Sequence, residues 1–267
     1  MTPLSDSNGS NRLRGQVAVV SGGAQGIGRA ITSLFQREGA CVFILDCDVR
    51  QGTATADELT KKNPNLPVKF IPVNLRSPDE IRESITVIGK FQSNVDILVN
   101  NAGIEIEKSV EQLAVADWDS ILEVNLRGAF LLTQAALPLF PGSGGAIVNI
   151  SSIHATHAFP NSLPYACSKA ALVALTRNLA LELSPRHIRV NCISPGYIDT
   201  RLWDEYLRHS ENPKTVAEQT TALHPLGRRG KPADIAEATV FLVSDSSAFI
   251  TGTELVVDGG LTVRAHP

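Results

Sequence analysis

A glycine-rich turn near the start of the chain separates a short apolar run from an amphipathic segment. The apolar run, Val17 to Ser21, has the length and the β-branched residues of a buried parallel strand. The turn continues to Gly28 with the spacing Gly-x-x-x-Gly-x-Gly, and residues 29–38 then repeat apolar side chains at helical spacing. A strand, a glycine turn and a helix in this order are the context of a dinucleotide-binding fingerprint.

Each glycine of the turn has a separate structural use. Gly22 allows a tight turn, Gly26 lets the backbone approach a pyrophosphate, and Gly28 lets the helix pack closely on the strand. The N-terminus of the helix offers N–H groups and the positive end of its dipole to phosphates. The alternative is a glycine turn that binds no ligand, but a second signal downstream favours a cofactor.

The second signal is Asp46, which follows the apolar run Val42 to Leu45 at about the expected ~20 residues beyond the glycines. A carboxylate here accepts hydrogen bonds from the adenosine ribose hydroxyls and repels a 2′-phosphate. Cys47 and Asp48 follow it, and position 25 is Gln25, so no cation stands nearby in sequence. The sequence therefore predicts NAD over NADP; the alternative is an ordinary loop carboxylate.

Apolar runs and amphipathic segments alternate along the 267 residues, and no linker or repeat divides them. We expect a disordered polar tail over residues 1–12 and a single domain over residues 13–267. A helix should begin at Ser77, with Pro78 in its first turn and Glu80 reaching back to the cap. This alternation predicts an α/β fold, a doubly wound Rossmann domain whose seven-stranded parallel sheet carries helices on both faces. The remaining strand candidates are residues 68–72, 97–100, 146–150, 188–193 and 254–257.

Composition excludes several classes of partner. The net charge of −3 and the pI near 6.1 leave no basic footprint for nucleic acid. The apolar stretch Ala129 to Phe140 is too short to span a bilayer, and the tail has no apolar core of a signal peptide. The cysteines are dispersed, which indicates buried thiols of a reducing, cytoplasmic compartment and neither a metal cluster nor a disulfide frame. They are Cys41, Cys47, Cys167 and Cys192.

Tyr165 and Lys169 stand four residues apart, so on a helix they share one face. An ammonium beside a phenol lowers the pKa of the phenol and makes it a usable general acid or base. Ser152 follows the apolar run Ala146 to Ile150, so its hydroxyl should emerge at the carboxyl edge of the sheet, where such folds bind ligands. The alternative is a surface Tyr and Lys, and the glycine turn favours the catalytic interpretation.

These motifs, taken in order, make the chain resemble the classical short-chain dehydrogenases/reductases from about Leu13 to Gly260. The turn matches the family's Thr-Gly-x-x-x-Gly-x-Gly with Ser21 in place of Thr, and residues 100–103 match Asn-Asn-Ala-Gly. Residues 195–200 resemble the segment that meets the nicotinamide carboxamide. One departure is Asn74, where many members have Asp beside the adenine. The family's catalytic tetrad corresponds to Asn125, Ser152, Tyr165 and Lys169.

The resemblance implies a role for each member of the tetrad. Tyr165 would exchange the proton with the substrate hydroxyl, and Lys169 would hold the nicotinamide ribose. Ser152 would bond the substrate oxygen, and Asn125 would fix a water that links Lys169 to solvent. No metal is implied, and the complete tetrad argues against a non-catalytic scaffold protein. The resemblance implies these cofactor contacts: Gly22, Gln25, Gly26, Ile27, Gly28, Asp46, Asn74, Leu75, Asn101, Ala102, Gly103, Tyr165, Lys169, Pro195, Gly196, Ile198 and Thr200.

The substrate is predicted from the polar content of the expected pocket. Residues from about 200 to 226 should form a lid, and they resemble more loosely the subgroup of L-fucose dehydrogenases and type 14 17β-hydroxysteroid dehydrogenase. Glu105, His154, His157 and Asn161 favour a polyhydroxylated substrate, a free aldose oxidised at its anomeric carbon to a lactone. The predicted substrate contacts are Glu105, Ser152, His154, Asn161, Tyr165 and Trp203.

Several alternatives remain for the pocket. Phe159, Leu163 and Trp203 keep a steroid, retinoid or 3-oxoacyl substrate possible. Trp203 suits stacking on a sugar or packing in the core, and Arg201 suits an anionic sugar or a surface salt bridge. The resemblance also implies a homotetramer built through the helices of Asn125 and Tyr165. The apolar run of residues 170–175 suits either that interface or the core.

Overall fold

A computed structural model describes residues 11–264 of the chain. Its centre is a sheet of seven parallel strands in the order β3-β2-β1-β4-β5-β6-β7, which confirms the predicted architecture. Every predicted strand is present, and β6 continues two residues past its predicted end to Pro195. The strands are β1 Val17–Ser21, β2 Cys41–Asp46, β3 Lys69–Pro72, β4 Ile97–Asn100, β5 Gly145–Ile150, β6 Ile188–Pro195 and β7 Glu254–Val257.

Helices cover both faces of the sheet because successive strand residues point to opposite sides. Ala18 and Val20 belong to one buried apolar cluster, with side chains of α1, α2 and α9, whereas Val17 and Val19 belong to the other, with α3, α5 and α6. The helices are α1 Gly26–Arg37, α2 Val49–Lys62, α3 Pro78–Phe91, α4 Val115–Leu122, α5 Ala129–Ala136, α6 Leu163–Leu183, α7 Arg201–His209, α8 Pro213–Leu223 and α9 Pro232–Val243.

A buried ladder of hydrogen bonds between amides and hydroxyls connects the neighbouring strands β4 and β5 to helices α5 and α6. Asn100 on β4 donates through Nδ2 to Asn149 Oδ1 on β5 at 2.8 Å and to Thr133 Oγ1 on α5 at 3.0 Å. Asn149 in turn donates to Thr176 Oγ1 on α6 at 2.8 Å. Because an unpaired polar group is costly in a core, the ladder fixes the heights of these four elements relative to one another.

Helix α3 begins as predicted, with one difference. Ser77 Oγ accepts from the backbone N–H of Glu80, and Pro78 occupies the first turn. Glu80 does not complete the expected reciprocal contact with Ser77, because its Oε2 accepts from the N–H of Asn74 at 2.8 Å. The carboxylate thereby holds the loop after β3 instead of the cap residue.

Two other expectations are wrong in part. Cys47 and Cys167 are exposed and Cys41 is half-buried, so Cys192 alone of the four is a buried thiol; all four are free. The predicted tail falls on residues 1–10, which lie outside the described residues, and on Arg12, which forms ion pairs with Glu38 and Glu237. Within residues 11–264, none of the helices combines the length and apolar composition needed to cross a bilayer.

The glycine turn leaves no room for side chains at the start of α1. Gly22 and Gly26 have φ of +64° and +55°, in the left-handed region that favours glycine. A Cβ on Gly28 would collide with the carbonyl oxygen of Gly22 and lie 2.6 Å from Asn101 Nδ2. The close approach of α1 to β1 therefore depends on Gly28.

We expect Gly28→Ala to lower the free energy of unfolding by about 1–3 kcal/mol, the usual cost of overpacking. The matched control is Gly142→Ala, since a Cβ there would meet no heavy atom within 4 Å. Urea unfolding of both variants measures the difference. Equal stability of the two variants would contradict the proposed packing role of Gly28.

Candidate active site

Three of the four predicted catalytic side chains, those of Ser152, Tyr165 and Lys169, line a cavity of about 350 Å³ at the carboxyl edge of the sheet. Ser152 lies just beyond β5, and Tyr165 and Lys169 project from the first turns of α6. All six predicted substrate-binding residues line this cavity. Its volume is within the range of small-molecule sites, so the sequence motifs converge on a pocket of suitable size.

Lys169 is held at the base of this cavity by the end of β5. Its Nζ donates to the carbonyl oxygen of Ile150 at 2.8 Å and lies 5.4 Å from the centroid of the Tyr165 ring. Ser151 Oγ donates to the backbone oxygen of Lys169 at 2.9 Å. The side chain is only 3% exposed, so its position and its charge are both set by the protein interior.

Burial changes the protonation of this pair in a direction opposite to the sequence expectation. The pKa of Lys169 falls to about 8, because burial disfavours the ammonium. The pKa of Tyr165 is raised, first by burial and then by the negative charge of Glu105, against a hydrogen bond with Ser152 that lowers it. The expected lowering of the tyrosine pKa by Lys169 is therefore wrong for this state, since the lysine is itself the more acidic member.

Asn125 occupies a π-helical segment, Glu123–Gly128, that connects α4 to α5. Its Oδ1 accepts from the N–H of Ile104 at 2.8 Å, and its Nδ2 donates to the Ile104 oxygen at 2.9 Å and to Ser168 Oγ at 3.1 Å. A Cβ on Gly103 would lie 3.3 Å from Lys169 Nζ and 3.4 Å from Asn125 Oδ1. Asn125 thus anchors the chain segment that passes beside Lys169.

The π-helical geometry was not predicted, because apolar periodicity does not distinguish one widened turn from an ordinary helix. Such turns occur often at functional sites. Here the widening places the Asn125 amide against the backbone of Ile104. The sequence motif identifies Asn125, and the structure shows how its amide is oriented.

The glycine turn and the segment after β4 are joined by Ser21 and Asn101. Ser21 Oγ accepts from the N–H groups of Asn101 and Ala102 at 3.1 and 3.2 Å. Asn101 Nδ2 donates to the carbonyl oxygens of Ser21 and Gly22, each at 3.0 Å. The Ser that replaces the family's Thr therefore performs a structural task at this junction.

Asp46 ends β2, beside the glycine turn. Its Oδ2 accepts from the N–H of Ala24 at 3.1 Å and its Oδ1 from the N–H of Asp48 at 3.1 Å, so the carboxylate is oriented beside the glycine turn. A Cβ on Gly26 would lie 3.6 Å from Thr200 Cγ2 across the groove. The bare glycine backbone, the uncapped start of α1 and the fixed carboxylate fit a dinucleotide.

The other predicted cofactor residues fall into two groups. Gln25 precedes α1 without a side-chain cap, and Asn74 is exposed after β3, where its Oδ1 accepts from the N–H of Arg76. Leu75 is buried against the sheet. The residues that reach the cavity itself are Ile27, Asn101, Gly103, Pro195, Gly196, Ile198 and Thr200.

Glu105 is the most informative polar residue of the cavity. Its Oε1 accepts from Ser162 Oγ at 2.8 Å, and burial raises the pKa of its carboxyl. His154 stacks on Phe159 with ring centroids 4.1 Å apart, and burial lowers the pKa of its imidazole to about 4, so the ring is neutral. Asn161 also lines the cavity, with φ of +62°.

One predicted pocket residue is misplaced. His157 is exposed, its Nδ1 lies 3.0 Å from Thr156 Oγ1, and it is not part of the cavity wall. The short 3₁₀ turn Ile153–Ala155 explains the difference, because it directs the chain outward after His154. The sequence did not indicate the wall residues Glu107 and Ser162, and it indicated Tyr197 and Tyr206 only as members of the predicted carboxamide segment and lid.

For Trp203 and Arg201 on α7, the structure shows core packing and a surface salt bridge, which are the alternatives that involve no substrate. Trp203 is 6% exposed, with Arg229 4.9 Å from its ring and Tyr206 packed at 5.3 Å, so it packs into the wall instead of offering an open face. Arg201 forms an ion pair with Glu205 at 2.7 Å on the surface. The lid segment therefore contributes an aromatic wall to the cavity.

Comparison with known proteins extends over most of the chain. The family model described as Enoyl-(Acyl carrier protein) reductase matches residues 22–262. The 3-oxoacyl-[acyl-carrier-protein] reductase of Thermotoga maritima is 37% identical over 255 residues, which cover 94% of this chain and 100% of that protein. The L-fucose dehydrogenase of Bos taurus is 37% identical over 250 residues, which cover 93% and 90%.

The ligand-free structure of the Thermoplasma acidophilum aldohexose dehydrogenase has a TM-score of 0.85 and 34% identity, and the match covers 96% of this chain and 98% of that one. Together the relatives indicate an oxidoreductase that acts on CH–OH donors of a small molecule with NAD or NADP. Their names differ in the substrate. The chain belongs to the classical short-chain dehydrogenase/reductase family.

Proposed function

We propose that this protein is an NAD-dependent sugar dehydrogenase that oxidises a free aldose at its anomeric carbon to the lactone. The observation that carries the proposal is the Glu105 carboxylate, which lines the cavity and acts electrostatically on both Tyr165 and Lys169. Sugar hydroxyls donate to such a group, whereas an apolar substrate adds no donor to the one that Ser162 already supplies. The named activities of the L-fucose and aldohexose dehydrogenases support this choice.

Each catalytic side chain has a role that its position allows. Tyr165 takes the proton of the anomeric hydroxyl, and Ser152 bonds the same oxygen and orients it. Lys169 accepts a proton from the phenol of Tyr165 and binds the nicotinamide ribose. Asn125 holds the backbone beside Lys169 and fixes the water of the proton path. NAD, when bound, supplies the hydride acceptor.

The preference for NAD rests on Asp46. Its carboxylate is aimed beside the glycine turn by the N–H groups of Ala24 and Asp48. It accepts hydrogen bonds from the two ribose hydroxyls and repels a 2′-phosphate. Gly26 leaves the backbone open to the pyrophosphate, while Gly22 and Gly28 allow the tight turn and the close packing of α1 that present it.

A second candidate is the oxidation of an apolar alcohol, such as a hydroxysteroid, a retinoid or a 3-hydroxyacyl group. The aromatic side chains of Phe159, Tyr197 and Tyr206 on the cavity wall favour it. Glu105 and the neutral imidazole of His154 weigh against it, because both require polar partners.

The family resemblance is also the basis of our proposals for the domain, the lid and the oligomeric assembly. Residues 13–267 form one domain whose lid, about residues 200–226, comprises α7 and α8. The protein is a cytoplasmic homotetramer that pairs the helices of Asn125 and Tyr165. An open groove between these helices, with Phe130 and Leu175 on its wall, supports that interface. Within residues 170–175, Leu172 and Val173 are buried and the flanking alanines 170 and 174 are exposed.

We expect NAD reduction with at least one member of a panel of aldoses, sugar acids, polyols and hydroxysteroids, and we expect that member to be an aldose. Tyr165→Phe should lower kcat by roughly 10²–10⁴, the usual contribution of a positioned acid–base group. Nicotinamide absorbance measures both, and the melting temperature and NAD affinity of the variant show that it is folded. Turnover of steroids alone, or unchanged turnover in Tyr165→Phe, would contradict the proposal.

We expect Asp46→Ala to lower the ratio of kcat/KM for NAD to kcat/KM for NADP by roughly tenfold or more, since a hydrogen bond to a charged group contributes about 1.5–3 kcal/mol. Asp57→Asn is the charge-matched control, because Asp57 is exposed on α2. Steady-state kinetics with both cofactors measure the ratio. An unchanged ratio in Asp46→Ala would show that another residue selects the cofactor.

A further inference from the structure

Arg229 contacts both lid helices and the chain segment that follows β6, although it is not part of the cavity wall. Its Nε donates to Asp199 Oδ1 at 2.7 Å. Its Nη1 donates to the carbonyl oxygen of Ala217 at 3.2 Å and to Thr221 Oγ1 at 2.9 Å, both on α8. Its guanidinium carbon lies 4.9 Å from the centre of the Trp203 ring on α7. One side chain therefore joins three separate parts of the structure.

The backbone beside Arg229 is held independently of this side chain. The N–H of Gly230 donates to the Tyr197 oxygen, and the N–H of Asp199 donates to the Gly230 oxygen, each at 2.9 Å. These bonds form a parallel β-bridge between Ile198 and Gly230. Because they use backbone atoms alone, a substitution of the Arg229 side chain leaves them in place and removes only the contacts with the lid and with Asp199.

The lid helices bury few side chains of their own. Among the residues of α7 and α8 whose burial is described, only Trp203 and Thr220 are buried. The last turn of α8 has one further contact with the C-terminal segment, where Arg264 Nη1 donates to the Ala222 oxygen. Segments with little buried apolar surface open locally at a low cost in free energy. The contacts of Arg229 are therefore a large part of what keeps the lid helices in position.

The position of α7 determines the shape of the cavity. Leu202, Trp203 and Tyr206 on this helix all line it. The rings of Trp203 and Tyr197 lie 5.5 Å apart, edge to face, so α7 packs on the segment after β6 through this pair. The catalytic side chains that line the cavity come from the end of β5 and from α6, outside the lid. A contact that holds α7 therefore affects substrate binding more than proton transfer.

We propose that Arg229 is a positioning residue: it connects α7 and α8 to the segment after β6 and thereby sets the affinity for the substrate, without touching substrate or cofactor. The proposal rests on the proposed function only for the identity of the substrate, because these contacts are present whichever alcohol the cavity receives. The planar guanidinium directs Nε and Nη1 to different acceptors, which a lysine ammonium does not reproduce.

Hydrogen–deuterium exchange of the full-length protein without ligands tests whether Arg229 holds the lid. Arg229→Ala should speed the exchange of amides in α7 and α8 by roughly three- to tenfold, the effect of losing a partly exposed ion pair and a cation–π contact. Amides of β5 and α6 should exchange as in the wild type, which shows that the variant is folded. Wild-type exchange throughout α7 and α8 would refute the proposal.

Arg228→Ala is the matched control, because it removes the same side chain one residue earlier. The Arg228 guanidinium is half exposed and donates twice to the Asp234 carboxylate on α9, outside the lid. Exchange in α7 and α8 should keep its wild-type rate in this variant. An equal increase in both variants would assign the effect to the lost charge and refute the role of the Arg229 contacts.

Arg229→Lys keeps the charge and loses the fixed geometry of the guanidinium. Its exchange in α7 and α8 should increase in the same direction as in Arg229→Ala, by a smaller factor. This variant replaces Arg229→Ala in the test if the alanine variant does not fold, and wild-type exchange in it would then overturn the proposal.

Steady-state kinetics separate a positioning role from a merely structural one. With the substrate that the panel identifies, Arg229→Ala should raise KM by roughly three- to tenfold and leave kcat within about twofold of the wild type. The dissociation constant of NAD should also stay within about twofold, since the backbone bonds of Gly230 still hold the segment after β6. A lower kcat with unchanged KM, the pattern of a partly unfolded enzyme, would contradict the positioning role.

Failure of the proposed function has a different signature. If no aldose is oxidised, the proposed function fails, and the exchange comparison still decides whether Arg229 holds the lid. If an aldose is oxidised with the same KM by the wild type and by Arg229→Ala, the proposed function stands and the inference about Arg229 fails.

Discussion

The hydrogen bond from Lys169 Nζ to the carbonyl oxygen of Ile150 is the contact on which the site depends. It joins the first turns of α6 to the last residue of β5, at the edge where Ser152 emerges. The distance between phenol, ammonium and hydroxyl is therefore set by the packing of one helix on one strand. The ladder of Asn100, Asn149 and Thr176 fixes that packing from within the core.

The burial of this lysine explains the electrostatics. Desolvation disfavours its ammonium, so the pKa of Lys169 falls to about 8, while burial raises the pKa of Tyr165. Lys169 is therefore the first of the two groups to lose its proton as the pH rises. In the proposed mechanism, the neutral amine that forms near pH 8 accepts the proton that Tyr165 takes from the substrate hydroxyl. The negative charge of Glu105 raises the pKa of both groups. In the proposed function, this carboxylate therefore connects substrate binding to proton transfer.

Much of this fold could be predicted from the sequence, because the sheet is parallel and covered on both faces. Continuous apolar runs such as Val17–Ser21 and Ile97–Asn100 have no exposed side to interrupt them, so their limits are visible. The glycine turn could also be predicted, because positive φ angles and close backbone contacts at these positions leave few alternatives to glycine. From the sequence, the direction of the shift of the Tyr165 pKa was predicted wrongly, and His157 was wrongly placed in the pocket. The packing of Trp203 was left as one of two alternatives. Each depends on burial by segments distant in the chain, which spacing alone does not record.

The pH dependence of kcat for aldose oxidation tests the central claim most directly, that the Tyr165–Lys169 pair is the base. Oxidation requires the deprotonated pair, so kcat should be low at pH 6 and rise with an apparent pKa near 8, the value of Lys169. His154, neutral above about 4, should add no step in this range. A profile that is flat from pH 6 to pH 9, or that falls as the pH rises through 8, would contradict the account.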